Sequence, residues 1–411
     1  MNFKANTNLL PLFFLYVLVI FLRSSGSLEG DEGRYVAFAQ NLSEGHYSPL
    51  DGAYLPAGPG YPLVLLPFAF LKWPWLVAKF LNGLFLFLAI LFFFHTLSFY
   101  LKEKQAFLFS YFLGLYPLFL KNIHQLYTET FVVFLISGFM FYFCRAFRGQ
   151  RKAGISFWLS AAFLGYLALT KVFFGYVLLA GFSFFLIFYL VKKTEDLKRS
   201  FLVYLIALLF CVPYLLYTYS LTGKIFYWGH YGGSSLYWMS TPFEGELGDW
   251  RGNGPWHLQQ TGSESLIKNH GKFFEEILKL NYTEWDERLK AKALENISQH
   301  PSKFTENWLC NLGRLFFNFP YSETSQRLST LLYVFTNMFV VVPSFLCVYP
   351  TYVGRKHYPP ELFYLLFFAC VSLLGSSLLS AYERHFRILV PILSLWIFFT
   401  LTRVVRIEVH S

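Results

Sequence analysis

At 411 residues, 55% of them hydrophobic and only 14% charged, with a mean hydropathy of +0.43, the chain is too apolar for an ordinary water-soluble protein. It reads as an all-α, polytopic membrane protein. Its formal charge of +10 does not point to nucleic acid, because the 34 Lys and Arg are scattered among short loops rather than gathered on one face.

In chain order, apolar segments able to span a bilayer are centred on residues 9–22, 76–98, 106–120, 127–144, 154–169, 173–191, 201–219, 329–350, 361–380 and 386–402. About ten crossings put both termini on one side. The basic clusters Lys102/Lys104, Arg145/Arg148/Arg151/Lys152, Lys192/Lys193/Lys198/Arg199, Arg355/Lys356 and Arg403/Arg406 fall in alternate loops that share the side of Lys4. By the positive-inside bias that side is cytoplasmic. The other side receives two long loops, 23–74 and 220–327, and short turns around 121–127, 170–172 and 381–385. The chain thus divides into an N-terminal transmembrane module (1–219), an outer loop (220–327) and C-terminal transmembrane helices (328–411). A cleaved signal peptide ending near Ser25-Gly26-Ser27 is the alternative for the first segment, and it leaves an odd number of crossings. Aromatic residues reach 22%, with 51 Phe and 28 Tyr, more than interfacial belts use, so helices packed by rings are expected.

In the first outer loop, Tyr35, Phe38 and Leu42 give an apolar face to a helix whose first turn carries Asp31 and Glu32. A second apolar piece, Tyr61 to Leu71, is too short to span and suits an interfacial or re-entrant helix. The second outer loop begins with Gly- and aromatic-rich chain, Tyr227 to Trp256, that lacks a helical period. It then turns helical: Thr283-Glu-Trp-Asp286 resembles a capping box, and Trp285, Leu289, Ala293 and Ile297 recur before Pro301. Phe304, Trp308, Leu312, Leu315 and Phe319 continue as the apolar stripe of an amphipathic helix.

Three groups of residues are able to carry chemistry on the outer side. Asp31 and Glu32 either cap their helix at the end where its dipole favours negative charge, or take a proton from an acceptor hydroxyl. Glu129 starts the fourth span and Lys171 follows the fifth; such helix-end charges either reach for the interface or serve a site. Tyr382-Glu383-Arg384-His385-Phe386-Arg387 places cations where the positive-inside bias disfavours them, so they need a carboxylate partner or an anionic ligand such as a phosphate. The five cysteines show no CxxC spacing and the ten histidines no HxxxH or HExxH spacing. A divalent ion on Asp31 and Glu32 is conceivable, although two adjacent acids are not a coordination set. With no GxxxxGK[ST] loop, a soluble nucleotide is a poor donor.

These residues also carry a resemblance. Asp31-Glu-Gly-Arg-Tyr-Val-Ala-Phe-Ala-Gln-Asn-Leu-Ser-Glu-Gly-His-Tyr47, followed by Gly58-Pro-Gly-Tyr-Pro-Leu63, resembles the first outer loop of GT-C glycosyltransferases. The similar branch holds dolichyl-phosphate-mannose protein mannosyltransferases and lipid A aminoarabinose transferases. Gly165-Tyr-Leu-Ala-Leu-Thr-Lys171, Val212 to Gly223, Tyr231-Gly-Gly-Ser-Ser-Leu-Tyr237 and Glu383-Arg-His-Phe-Arg-Ile-Leu-Val-Pro391 follow in the family's order. Tyr217-Thr218 stands where an Arg-Asn pair is common, and Ala57-Gly58 replaces the Glu-Lys that aminoarabinose transferases have before the Pro.

The resemblance implies a GT-C-like bundle with juxtamembrane helices in the first outer loop. It also implies an integral enzyme of a bacterial inner membrane that takes a sugar from a polyprenyl-phosphate-linked donor on the periplasmic face. The acceptor is a lipid, a glycan or a protein. Asp31 matches the family's acidic residue, with Glu32 beside it. Lys171, Arg384 and Arg387 match cationic positions that hold the lipid phosphate. Tyr35, His46, Tyr61, Tyr382 and His385, which lie in or next to the matching stretches, and Glu129 at the start of the fourth span complete the candidate substrate-binding set. A transporter or flippase of lipid-linked sugar and a structural subunit with a degenerate site are the competing readings, and transport predicts midplane charges and internal repeats.

Overall fold

The computed structural model describes residues 7–50, 52–148, 153–252, 263–322 and 328–405. Lys4, Arg151, Lys152, Trp256 and Arg406, invoked above, lie outside the described residues. The chain runs through α1 (Leu10–Arg23), α2 (Glu32–Ser43), α3 (Gly60–Phe70), α4 (Trp75–Leu97), α5 (Glu103–Gly114), α6 (Pro117–Lys121), α7 (Thr128–Phe147), α8 (Ala153–Thr170), α9 (Phe173–Lys192) and α10 (Glu195–Thr222). The second outer loop holds α11 (Gly232–Met239), α12 (Glu264–Ile277), α13 (Tyr282–Gln299) and α14 (Pro301–Phe317). The chain ends in α15 (Thr330–Val353), α16 (Pro360–Ser377), α17 (Arg384–Arg387) and α18 (Val390–Phe399), the last continued by a π turn over Thr400–Val404.

Helices occupy the expected spans, with breaks inside 106–120 and 386–402, and six helices (α4, α7, α9, α10, α15 and α16) have the length and apolarity to cross a membrane. Four apolar helices are shorter: α1, α3, the 154–170 part of α8, and Val390–Val404. The segment expected over 106–120 is broken instead of continuous. Pro117 disfavours helical backbone at the residue before it, so Tyr116 turns to φ −58°, ψ 114° and splits α5 from α6.

The bundle is built around α7, which packs between α4 and α8 on one side and meets α16 and α18 on the other. Most of its side chains are buried. Gly138 of α7 lets the Phe163 ring of α8 lie against the backbone, where a Cβ would collide with it. Rings fill the seams as the composition implies: Phe85 meets Phe131 at 4.7 Å between centroids, and Phe109 stacks on Phe398 at 3.9 Å. On the outer side, α2 and α3 pack on each other and α11 packs on α13. Gly58 and Gly60 bring the first loop onto the end of α8, since a Cβ at either would strike Leu169 or Thr170.

Three readings of the second loop are corrected. The stretch taken as irregular from Tyr227 contains α11, whose amides at Tyr231 and Ser234 donate to Asp286 Oδ1 at 3.0 and 3.2 Å. Without that tertiary cap the Gly-Gly start lacks a local helix signal. The cap of α13 is Asn281, whose side chain accepts from the Thr283 and Glu284 amides, so the helix starts before the proposed Thr283 box. In α14 the buried face is not the apolar stripe alone: Asn307, Asn311 and Arg314 are fully buried beside Leu315, while Phe304, Trp308 and Leu312 are half-buried.

Candidate active site

At the start of α2 the chain turns through Gly30, whose φ of 56° and close approach to Tyr127 leave no room for a side chain. Asp31 sits at the N-cap position, yet its side chain makes no cap hydrogen bond. Its carboxylate instead lies between two guanidinium groups: Oδ1 is 2.9 Å from Arg34 Nη2, and Oδ2 is 3.1 Å from Arg384 Nη1. Glu32 turns the other way and is fully buried. Its Oε1 accepts the Leu126 amide at 2.7 Å and lies 3.3 Å from Lys79 Nζ, and its Oε2 accepts the Glu29 amide at 2.7 Å. This carboxylate is a bolt between the first loop, α4 and the chain entering α7.

Glu129 stands in the first turn of α7, where the helix dipole favours an acid. Its Oε1 meets Lys171 Nζ at 2.9 Å and Arg384 Nε at 3.8 Å. Lys171 comes from the turn between α8 and α9, and Arg384 opens α17. One turn on, Arg387 pairs with Glu383 at 3.1 Å and donates to Leu118 O at 2.6 Å, tying α17 to α6. Burial pulls the Arg384 guanidinium down, but the carboxylates of Glu129 and Asp31 outweigh it and hold its pKa above the ordinary value. Burial also lowers Lys171, and Glu129 offsets part of that. His385 is pushed well below the usual histidine value, first by burial and then by the charges of Lys171 and Arg384, so its ring is neutral.

These groups border a cavity of about 770 Å³. Of the residues singled out from the sequence, Asp31, Glu129, Tyr382, Arg384, His385 and Arg387 line it. Lys171 stands behind Glu129. Glu32, Tyr35 and Tyr61 lie in the supporting layer, with the Tyr35 and Tyr61 rings edge to face at 5.4 Å. His46 is half-buried and does not line the cavity. Among the described residues, five buried polar atoms around it make no hydrogen bond: Glu129 Oε2, Glu383 Oε1, Arg384 Nε, His385 Nδ1 and Arg387 Nε.

Sequence reasoning passed over Arg34, Asn122, Tyr127 and the rings of Tyr54, Tyr231, Trp250, Tyr282 and Trp285, all of which line the cavity. Arg34 was detectable, since it follows Asp31 at the i+3 spacing that joins charges on a helix. Tyr231 opens the Tyr231–Tyr237 stretch quoted above and Trp285 stands on a helical stripe, but neither pointed to the cavity; the others come from separate loops with no local signal. Among the described residues no group of three His, Cys, Asp or Glu is placed to hold a metal. Both Asp31 oxygens face guanidinium groups and both Glu32 oxygens are occupied in the wall, so the donor set does not fit a divalent ion.

The sequence matches no protein-family model and no curated protein. Solved structures do match. ArnT from Cupriavidus metallidurans, bound to undecaprenyl phosphate, aligns with a TM-score of 0.52 at 13% identity over 97% of this chain and 60% of its own. The Archaeoglobus fulgidus oligosaccharyltransferase in its apo form aligns with a TM-score of 0.55 at 13% identity over 97% of this chain and 50% of its own. The archaeal oligosaccharyltransferase AglB from Archaeoglobus fulgidus, in complex with an inhibitory peptide and a dolichol-phosphate, gives 0.50 at 14% identity, over 95% and 50%. The chain therefore spans about three-fifths or half of the length of these neighbours. All are GT-C glycosyltransferases, and the bundle described above has the GT-C fold.

Proposed function

We propose that the protein is a membrane glycosyltransferase that moves a sugar from a polyprenyl-phosphate-linked donor to an acceptor hydroxyl on the non-cytoplasmic face. The observation that carries this reading is the cavity at one end of the bundle, bordered by the Asp31 carboxylate and by Arg384 and Arg387, each of which keeps a buried Nε without a hydrogen bond. A sugar on a lipid phosphate already carries its leaving group. The enzyme then needs a base for the acceptor and fixed cations for the departing phosphate, and it needs no ATP.

The step is one inverting displacement. The acceptor oxygen bonds to the anomeric carbon as the bond from that carbon to the phosphate oxygen breaks, through an oxocarbenium-like state. The hydroxyl proton passes to Asp31, and the lipid phosphate leaves with the bonding pair, held by Arg384 and Arg387. Both Asp31 oxygens face guanidinium groups, which leaves neither free to accept that proton. Donor binding removes that handicap, because a phosphate oxygen competes for Arg384 and releases Oδ2 of Asp31. Glu129, itself paired with Lys171, holds Arg384 from behind, and Glu32 with Lys79 fixes the start of α2. Tyr35 packs that helix onto Tyr61 of α3, and Tyr382 and His385 border the donor side. The placement of the charges at one end of the bundle, away from a midplane, favours this reading over transport.

Deletion of the gene in its host, followed by mass spectrometry of prenyl-linked sugars, tests it. A lipid-linked sugar accumulates if the protein consumes that donor. An unchanged pool, together with unchanged glycans, removes the transferase reading.

A further inference from the structure

The cavity has a second wall that the displacement does not use. Phe outnumbers Tyr and Trp together in this chain, 51 against 28 and 10. Yet the aromatic residues bordering the cavity are six Tyr and two Trp, with no Phe among the described residues. Rings that carry a hydroxyl or an indole N–H suit a ligand with both apolar faces and polar edges.

Five of these rings form a continuous strip that leads away from Asp31. Arg34 lies over the Tyr231 ring at 5.5 Å. The Tyr231 hydroxyl meets that of Tyr54 at 2.9 Å, and its ring meets Trp250 at 5.7 Å. Tyr54 packs on Tyr282 at 4.7 Å, and Tyr282 on Trp285 at 6.0 Å. Tyr231 holds a φ of 81°, which costs energy for a residue with a Cβ, and Asp286 secures it by accepting its amide at 3.0 Å. Tyr282 keeps 43% of its surface exposed, which a ring serving only as core would not.

We infer that the acceptor is itself a saccharide, stacked along this strip with its terminal hydroxyl at Asp31. The inference rests on the transferase reading above. Pyranose rings present apolar C–H faces to aromatic planes and a rim of hydroxyls to Tyr and Trp donors. An acyl chain would select Phe and Leu, and a peptide that adds as a strand would need an open strand edge, of which the described residues have none. The strip is several rings long, so it takes more than one sugar unit. A free polysaccharide and the glycan headgroup of a lipid share this chemistry.

The test uses the deletion host re-expressing wild type, Tyr282→Ala, Tyr282→Trp or Trp250→Ala, with sugar composition measured on the protein, polysaccharide and glycolipid fractions. The sugar missing in the deletion strain belongs to a saccharide, and the fraction that loses it tells polysaccharide from lipid-borne glycan. Relative to wild type, Tyr282→Ala and Trp250→Ala lower the ratio of finished product to lipid-linked precursor about tenfold at matched membrane abundance. Tyr282→Trp restores most of it. Loss of the sugar from protein side chains or from a lipid without glycan overturns the inference, and so does a wild-type ratio in Tyr282→Ala. If neither glycans nor lipid-linked sugars change on deletion, the transferase reading falls first and this inference falls with it.

Discussion

Successive residues on a helix are turned by about 100°, so the neighbours Asp31 and Glu32 face different surroundings. Asp31 reaches the cavity between Arg34 and Arg384, while Glu32 is sealed against Lys79 and two backbone amides. The two substitutions should therefore fail in different ways. Asp31→Asn keeps the shape and removes the base, so transfer drops about 10²- to 10⁴-fold with membrane abundance unchanged. Near-normal transfer by that variant, assayed with the accumulating lipid-linked sugar, takes Asp31 out of the mechanism. Glu32→Gln leaves the Lys79 ammonium buried without its counter-charge, which destabilises by about 3–5 kcal/mol and shows as a lower Tm in detergent. The acidic pair and its motif were legible in the sequence. The resemblance favoured Asp31 over its neighbour, but the contact of Asp31 with Arg384 was not legible, because Arg384 lies 353 positions away along the chain.

At the scale of elements, the outer loops are held by polar contacts that hydrophobic periodicity cannot register. Asn311 of α14 donates to Ser377 O and Leu379 O, both at 2.7 Å, and its Oδ1 accepts the Ala381 amide at 2.9 Å. It thereby sets the turn that delivers Tyr382 and Arg384 to the cavity. The apolar stripe from Phe304 identified the helix but gave no sign of the polar residues buried beside Leu315, whose contacts are largely to backbone. Asn311→Leu should cost about 1–3 kcal/mol for each backbone group left unpaired and reduce transfer with it, measured as Tm and turnover on one preparation. A second clasp joins the two outer loops: the Leu55 amide donates to His230 Nδ1 at 2.8 Å, and the His230 amide donates to Leu55 O at 2.8 Å. Burial lowers the His230 pKa from 6.5 to about 4, and only the unprotonated nitrogen accepts the Leu55 amide. The unfolded chain binds this proton first as pH falls, so the contribution is full above about pH 6.5 and shrinks toward pH 4. Wild type should lose Tm across that window, and His230→Gln should flatten the loss. An identical slope in both would assign the acid sensitivity to other groups.

At the scale of the molecule, the positive-inside bias assigned the first loop, the start of α7, the turn after α8, the second loop and the turn before α17 to one side before any contact was known. Asp31, Glu129, Lys171, Trp285 and Arg384 come from those five separate stretches, and all of them gather at one end of the bundle around one cavity. The basic side chains assigned to the other side also meet each other's loops: Arg148 donates to Phe99 O at 2.6 Å and Arg403 to Tyr100 O at 2.7 Å. Charge and hydropathy thus made the division into two ends legible, since each span adds its own alternation. The aromatic strip was hidden because its rings come from three loop regions with no period between them. Miscounting one crossing in the middle of the chain would have sent Asp31 and Arg384 to opposite ends. The remaining assignment is which end faces the cytoplasm. Cysteines introduced at exposed positions decide it: Ser298→Cys on α13 belongs to the cavity end, and Lys192→Cys on α9 to the basic end. With the unsubstituted protein as background, a membrane-impermeant maleimide should label Ser298→Cys in intact cells and Lys192→Cys only after permeabilisation. The reverse pattern would put the cavity, and with it the sugar transfer, on the cytoplasmic face. Labelling of both from outside would refute the alternation of spans itself.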